Sequence, residues 1–177
     1  MLGKAISGGA IIEQWDIKYQ VNGNWVYEVT GENVEQSESR NTAYRSSATE
    51  LVFNTTVKNI GYMAFRYWEN LKKVIFNSDL QNIGSYSFES CKSLLEVVIP
   101  DSVQTIGGQA FGNCEAVKKL VIGAGVVNIG DGSLINLYGS SVAFEKDMSM
   151  ATPPITTTAT DIVVYSNDVT VMSLKNM

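Results

Sequence analysis

SLLEVVIPDSVQTIGGQAFGNC, residues 93–114, is close to one complete unit of a pattern that runs through most of the chain. Its Ile106-Gly107 recurs as Ile60-Gly61, Ile83-Gly84 and Ile129-Gly130, always 23 residues apart. Phe65, Phe88, Phe111 and Leu134 keep the same step, as do Leu71, Leu94 and Val117. A fixed period this short marks a solenoid, because one coil cannot bury its apolar side alone and stacking supplies the core. Four coils follow one another: 48–70, 71–93, 94–116 and 117–139. Each has an extended apolar piece (LVF, VIF, VVI or LVI), a turn, a second short piece ending in Ile-Gly, and a compact segment around Ala-Phe or Ser-Phe. The first two pieces predict strands. The third, as in SYSFESC, predicts a single helical turn. The glycine after each isoleucine marks either a positive φ or a place with no room for a Cβ.

Residues one period apart become neighbours in the stack, so columns of side chains follow directly. Asn59, Asn82, Thr105 and Asn128 form a polar column suited to hydrogen bonding across coils. Glu50, Lys73, Glu96 and Lys119 alternate in sign, as do Glu69, Lys92 and Glu115. Such pairs contribute roughly 0.2–1 kcal/mol each and favour the correct register. Cys91 and Cys114 share a column with Trp68 and Leu137. An apolar column is one reading of them; a disulfide is the other, since adjacent coils lie only about 4.8 Å apart. If Val74 and Phe76 point inward, the slot between them points outward and holds Val52, Ile75, Val98 and Val121. This apolar strip is either covered by the protein's own hairpin or tail, or it is a partner or oligomer interface.

Outside the repeat, Trp15, Ile17, Tyr19 and Val21 alternate with polar residues up to Asn22-Gly23, and Trp25, Tyr27 and Val29 alternate beyond it. This pattern predicts a β-hairpin, with two Trp, two Tyr and three aliphatics assigned to one face. The hairpin is either a cap on the first coil or an attachment surface, so Trp15, Tyr19, Trp25 and Tyr27 join the strip as candidate interface residues. Residues 31–47 are polar and read as a decayed repeat or a long surface loop, with Val34 in the column of Val57, Leu80, Val103 and Val126.

The composition narrows the function. A chain of 177 residues with 45% hydrophobic and 18% charged residues has the makings of an ordered core. A net charge of −5 with 13 scattered Lys and Arg argues against nucleic acid or an anionic membrane as the main partner. No apolar run reaches the roughly 20 residues of a membrane helix, and MLGKAISGGAII reads as part of the fold rather than as a signal peptide. The chain has no histidine, which excludes Ser-His-Asp and Cys-His nucleophiles and the HExxH metal helix. Paired carboxylates remain, but nothing marks which would converge. No cofactor or metal is expected.

The unit quoted first closely resembles the repeat of BspA-type leucine-rich-repeat proteins. VKNIGYMAFRYWENLKKVIF and the coil ending NIGDGSL match it with degeneration, and Thr152-Pro153-Pro154 with DIVVYSNDVTVMSLKN is similar to that family's C-terminal ending. The resemblance implies a right-handed, β-rich leucine-rich-repeat solenoid, usually extracellular and used for adhesion to host or neighbouring-cell proteins. The chain thus divides into an N-terminal hairpin segment with polar loop (1–47), the solenoid (48–139) and a C-terminal cap (140–177). The expected function is a non-enzymatic protein-binding or adhesion module on a cell surface. A virion decoration or fibre protein, with homo-oligomerisation, is the alternative, and a carboxylate-based glycan-active protein is the third.

Overall fold

The computed structural model describes residues 14–133 together with the strands Ser141–Phe144, Val163–Val164 and Met172–Ser173. Leu134, Leu137 and most of the C-terminal cap segment lie outside these residues.

The chain is a β-solenoid of about four turns with little helix. The extended apolar pieces are β4 (Ala48–Phe53), β6 (Lys73–Ile75), β8 (Glu96–Ile99) and β10 (Lys119–Ile122). They pair in parallel, and β12 (Ser141–Phe144) continues the sheet. The Ile-Gly pieces give β5 (Asn59–Ile60), β7 (Asn82–Ile83), β9 (Thr105–Ile106) and β11 (Asn128–Ile129), a second parallel sheet. Between the sheets lies a continuous core in which Phe65, Phe88 and Phe111 stack with centroids 5.4 and 5.3 Å apart and planes within 12° and 2° of parallel. Two final strands, β13 (Val163–Val164) and β14 (Met172–Ser173), pair antiparallel.

The third side of each coil is not the predicted helical turn. It is a run of tight turns with two left-handed residues four apart in each of three coils: Met63 and Tyr67, Tyr86 and Ser90, Gln109 and Asn113, with φ between 53° and 62°. A helix would spend its N–H groups internally. Here alternate N–H groups reach the next coil instead: Met63, Phe65 and Tyr67 donate to the carbonyls of Ser85, Ser87 and Glu89 at 3.1, 2.8 and 2.9 Å. Ala64, Arg66 and Trp68 close turns within their own coil. The left-handed residues are what aim successive N–H groups in different directions, so all three sides are hydrogen-bonded along the stack.

Of the two explanations for the repeated glycine, lack of space is the operative one. A Cβ on Gly84 would lie 2.7 Å from Gly61 C and from Ile60 O, and one on Gly130 would lie 2.8 Å from Gly107 C. The coils touch backbone to backbone there. Beside them Asn82 Nδ2 donates to Asn59 Oδ1, and Asn59 Nδ2 to Asn33 Oδ1, both at 2.7 Å.

The stretch 31–47 is a coil rather than a loop, but in a different register from the one the sequence suggested. Its strand β3 (Asn33–Val34) pairs with β5 so that Val34 faces Ile60, a step of 26 rather than 23. Val34 therefore belongs to the isoleucine column, and the extra length is taken up by α1 (Glu38–Tyr44), where the other coils make tight turns. Ser37 caps this helix by accepting from the Arg40 N–H at 3.2 Å.

The hairpin forms as β1 (Ile17–Val21) and β2 (Asn24–Glu28), with positive φ at both Asn22 and Gly23, as a type I′ turn requires. Strand β1 also pairs antiparallel with β4, extending the long sheet by two strands. Asp16 fastens it. Its carboxylate accepts from Thr30 N at 2.7 Å, Gly31 N at 2.8 Å and the Thr56 hydroxyl. Burial pushes the Asp16 pKa up, but the hydrogen bonds from Thr56, Gly31 and Thr30 outweigh it and leave the pKa below the ordinary 3.8. A lowered carboxyl pKa adds stability above the unfolded-state value, lost as pH falls through the folded one. Asp16→Asn should therefore cost about 1–3 kcal/mol at neutral pH. In parallel urea melts, that gap should shrink once pH drops below 3.8. A gap independent of pH would show that the carboxylate's charge is not what holds the hairpin.

Candidate functional site

The outward slots of the long sheet align as the period requires. Val52 faces Ile75 and Val98 faces Val121 across their strand pairs, and Lys18 of the hairpin faces Val52 on one side and Tyr27 on the other. Ile75 and Val98 are 41% and 49% exposed; Val52 is half-buried, and Val121 is only 8% exposed. The solvent-facing centre of the strip is thus Ile75 and Val98. Along its flank runs the charge ladder, with Glu50 opposite Lys73, Lys73 opposite Glu96, and Lys119 Nζ 3.0 Å from Glu96 Oε1.

The hairpin aromatics split between two faces, contrary to the single apolar face expected. A two-residue turn pairs Val21 with Asn24, so Tyr19 faces Val26 and Lys18 faces Tyr27. Odd residues of β1 therefore share a face with even residues of β2. Tyr19 is fully buried, with its ring 4.9 Å from Tyr44 and 5.7 Å from Trp68, and contributes nothing to the outer surface. Burial first, then the Glu28 carboxylate, raises its phenol well above the usual value.

Trp25 and Tyr27 lie on the outer face, and Trp15 joins them by its edge-on contact with Tyr27 at 6.1 Å. Lys18 Nζ sits 5.1 Å from the Trp15 ring and 4.6 Å from the Trp25 ring. A cation between two indoles fixes rings that are otherwise free to swing. The aromatic cluster and the aliphatic strip form one continuous outer surface.

The two cysteines are free thiols in the core. Cys91 Sγ lies 3.4 Å from the Phe65 carbonyl oxygen and Cys114 Sγ 3.2 Å from that of Phe88. Burial pushes the Cys114 thiol up to about 12 and Cys91 well above its ordinary value, so neither is a poised nucleophile. Among the described residues, no group of three or more His, Cys, Asp and Glu is arranged to hold a metal ion.

A second surface was not singled out from the sequence. On the turn side, Tyr62 and Tyr67 are 54% and 40% exposed, and the Tyr62 and Tyr86 rings meet edge to face at 5.8 Å. The Arg66 guanidinium lies 4.5 Å from the Tyr67 ring and 5.3 Å from the Tyr86 ring, and pairs with the Glu89 carboxylate of the next coil. Tyr67 and Tyr86 both occupy left-handed positions, at φ 62° and 59°. There a bulky L-residue costs about 1–2 kcal/mol that Asn largely escapes. The available signal was columnar. The slots of Tyr62, Tyr67 and Tyr86 hold Ser85, Asn113 and Gln109 elsewhere in the stack.

A family model described as BspA type Leucine rich repeat region matches residues 38–152. No curated protein sequence matches the chain. Among solved structures, the chain is similar to a leucine rich cell surface protein from Faecalibacterium prausnitzii, at 20% identity and a TM-score of 0.59, covering 70% of this chain and 32% of that one. It is also similar to a leucine-rich repeat protein from Bacteroides ovatus, at 17% identity and a TM-score of 0.53, covering 76% of this chain and 42% of that one. The chain therefore spans less than half the length of either. Among the described residues no helix is long and apolar enough to cross a membrane.

Proposed function

Since the chain belongs to the BspA-type leucine-rich-repeat family, we propose that it is a non-enzymatic adhesion module, displayed on a cell surface, that docks a host or neighbouring-cell protein on the outer face of its long sheet. The observation that carries this reading is the continuity of exposed Ile75 and Val98 with the Trp15, Lys18, Trp25 and Tyr27 cluster. Interfaces are anchored by Trp and Tyr set in a desolvated patch, with charges kept to the rim. The alternating ladder forms such a rim here without giving the face a net sign. The Lys18 ammonium selects for a partner that places a carboxylate beside its own apolar patch. A parallel sheet with bonded neighbours is stiff, so little ordering entropy opposes binding.

The test is biolayer interferometry of the full chain against purified host extracellular-matrix proteins, presented one at a time. At least one should bind, and Ile75→Lys with Val98→Lys should weaken binding at least tenfold while leaving the melting temperature unchanged. Equal binding by this variant would remove the outer face from consideration. If light scattering shows a wild-type dimer that the variant converts to monomer, the face serves self-association instead.

A further inference from the structure

The turn side differs in chemistry from the outer sheet face. Tyr62 and Tyr67 are exposed there, Tyr86, Arg66, Gln109 and Asn113 are half-buried, and the Glu89 carboxylate paired with Arg66 is buried. Tyr62 and Tyr67 rise from coil 48–70 and Tyr86 from coil 71–93, whereas the corresponding slots of coil 94–116 hold Gly108, Asn113 and Gln109. The result is an aromatic wall beside a low polar shelf. Arg66 bridges the wall, lying against Tyr67 and Tyr86 while its charge is met by Glu89, whose other oxygen lies 3.5 Å from Asn113 Nδ2.

We propose that this wall and shelf bind a neutral saccharide. A sugar ring presents an apolar face of C–H groups and a rim of hydroxyls. The first suits an exposed phenol ring, and the second suits side-chain amides, which both donate and accept, beside a guanidinium, which donates. Neutrality follows from the charges. Arg66 is already paired with Glu89, and the chain carries a net −5, so nothing attracts a polyanion. The backbone adds a separate argument. Tyr67 and Tyr86 stand at left-handed positions, whose slots in the other coils hold Ser90 and Asn113 for the first and Met63 and Gln109 for the second. The fold therefore does not require a phenol at these positions, and their presence there points to contact with something outside the chain as well as with Arg66 and Tyr62. This site is independent of the protein-docking face.

The repeat supplies its own controls, because the residues of the other coils are compatible replacements. The triple variant Tyr62→Ser, Tyr67→Asn, Tyr86→Gln should fold with an unchanged or higher melting temperature. The probe is native electrophoresis of the full chain in gels cast with one soluble neutral polysaccharide each: a mixed-linkage β-glucan, an arabinoxylan or a galactomannan. At least one should retard the wild type, and the triple variant should need at least ten times more of it for the same retardation. Ile75→Lys with Val98→Lys should be retarded like the wild type. The proposal is overturned if no gel retards the wild type, or if the triple variant is retarded equally. Loss of matrix-protein binding in the triple variant, without any polysaccharide effect, would assign this side to protein docking and overturn it as well.

Discussion

Arg40→Ala should destabilise the protein by about 3–5 kcal/mol, because it leaves a largely buried carboxylate without its counter-ion. Arg40 is itself 4% exposed, on α1. Its Nε and Nη2 donate to the two oxygens of Glu28 at 2.9 and 2.7 Å, its Nη1 to the Glu35 carbonyl at 2.9 Å, and its planar face lies 5.3 Å from the Phe65 ring. The Tyr19 hydroxyl donates to the same Glu28 carboxylate at 3.4 Å. One guanidinium thus ties the hairpin, the first coil and the repeat together. The double change Arg40→Met with Glu28→Leu should recover much of the loss, since two apolar groups need no counter-ion. Arg40→Lys should not, because an ammonium cannot make the two-pronged contact. Urea denaturation of the three variants checks this. Equal stability of Arg40→Ala and the double variant would mean that the charge pair is incidental and only packing counts.

The next largest effect belongs to Phe88→Ala, expected to cost about 3–5 kcal/mol through lost transfer energy plus the cavity left behind. Phe88 is fully buried and lies between Phe65 and Phe111 in the ring stack, with Phe76 edge-on at 5.7 Å. Three aromatic side chains therefore lose a contact when this one is removed. In a stack stabilised by nearest-neighbour interfaces, a void in the middle also weakens the coupling of the coils on either side. The denaturant slope should fall along with the midpoint as the transition ceases to be all-or-none. Phe88→Leu keeps most of the volume and should cost less than about 1.5 kcal/mol. A small loss for Phe88→Ala would show that the coils close over the gap.

The columns of the stack were legible because a period of 23 turns sequence neighbours into spatial ones by subtraction. Ile60 over Ile83, Asn59 over Asn82 and Glu96 beside Lys119 needed no other information. Three features escaped that arithmetic. The first coil advances by 26 because α1 replaces a tight turn, so Val34 was matched to the wrong column. In the hairpin, alternation alone does not reveal parity. The two-residue turn at Asn22-Gly23 sends Tyr19 inward and Trp25 and Tyr27 outward. The compact segments, such as SYSFESC, are too short for periodicity to tell a helical turn from a run of tight turns. Their left-handed residues include Met63, Tyr67 and Tyr86, which are not residues that announce positive φ. The exposed strip at Ile75 and Val98 was visible from the columns, whereas the tyrosine wall was hidden by that same misreading.

The alternating ladder Glu50, Lys73, Glu96 and Lys119 also constrains how such a chain can change length over generations. The most uniform core columns survive the loss or gain of an internal coil, since Phe65, Phe88 and Phe111 share one slot and Ile60, Ile83, Ile106 and Ile129 another. The ladder does not. Deleting one internal coil sets Glu beside Glu or Lys beside Lys, a juxtaposition disfavoured by about 0.2–1 kcal/mol on facing strands. Removing or duplicating two adjacent coils restores the alternation. For the ladder, the length that can be gained or lost without a charge mismatch is therefore a pair of coils rather than the single repeat.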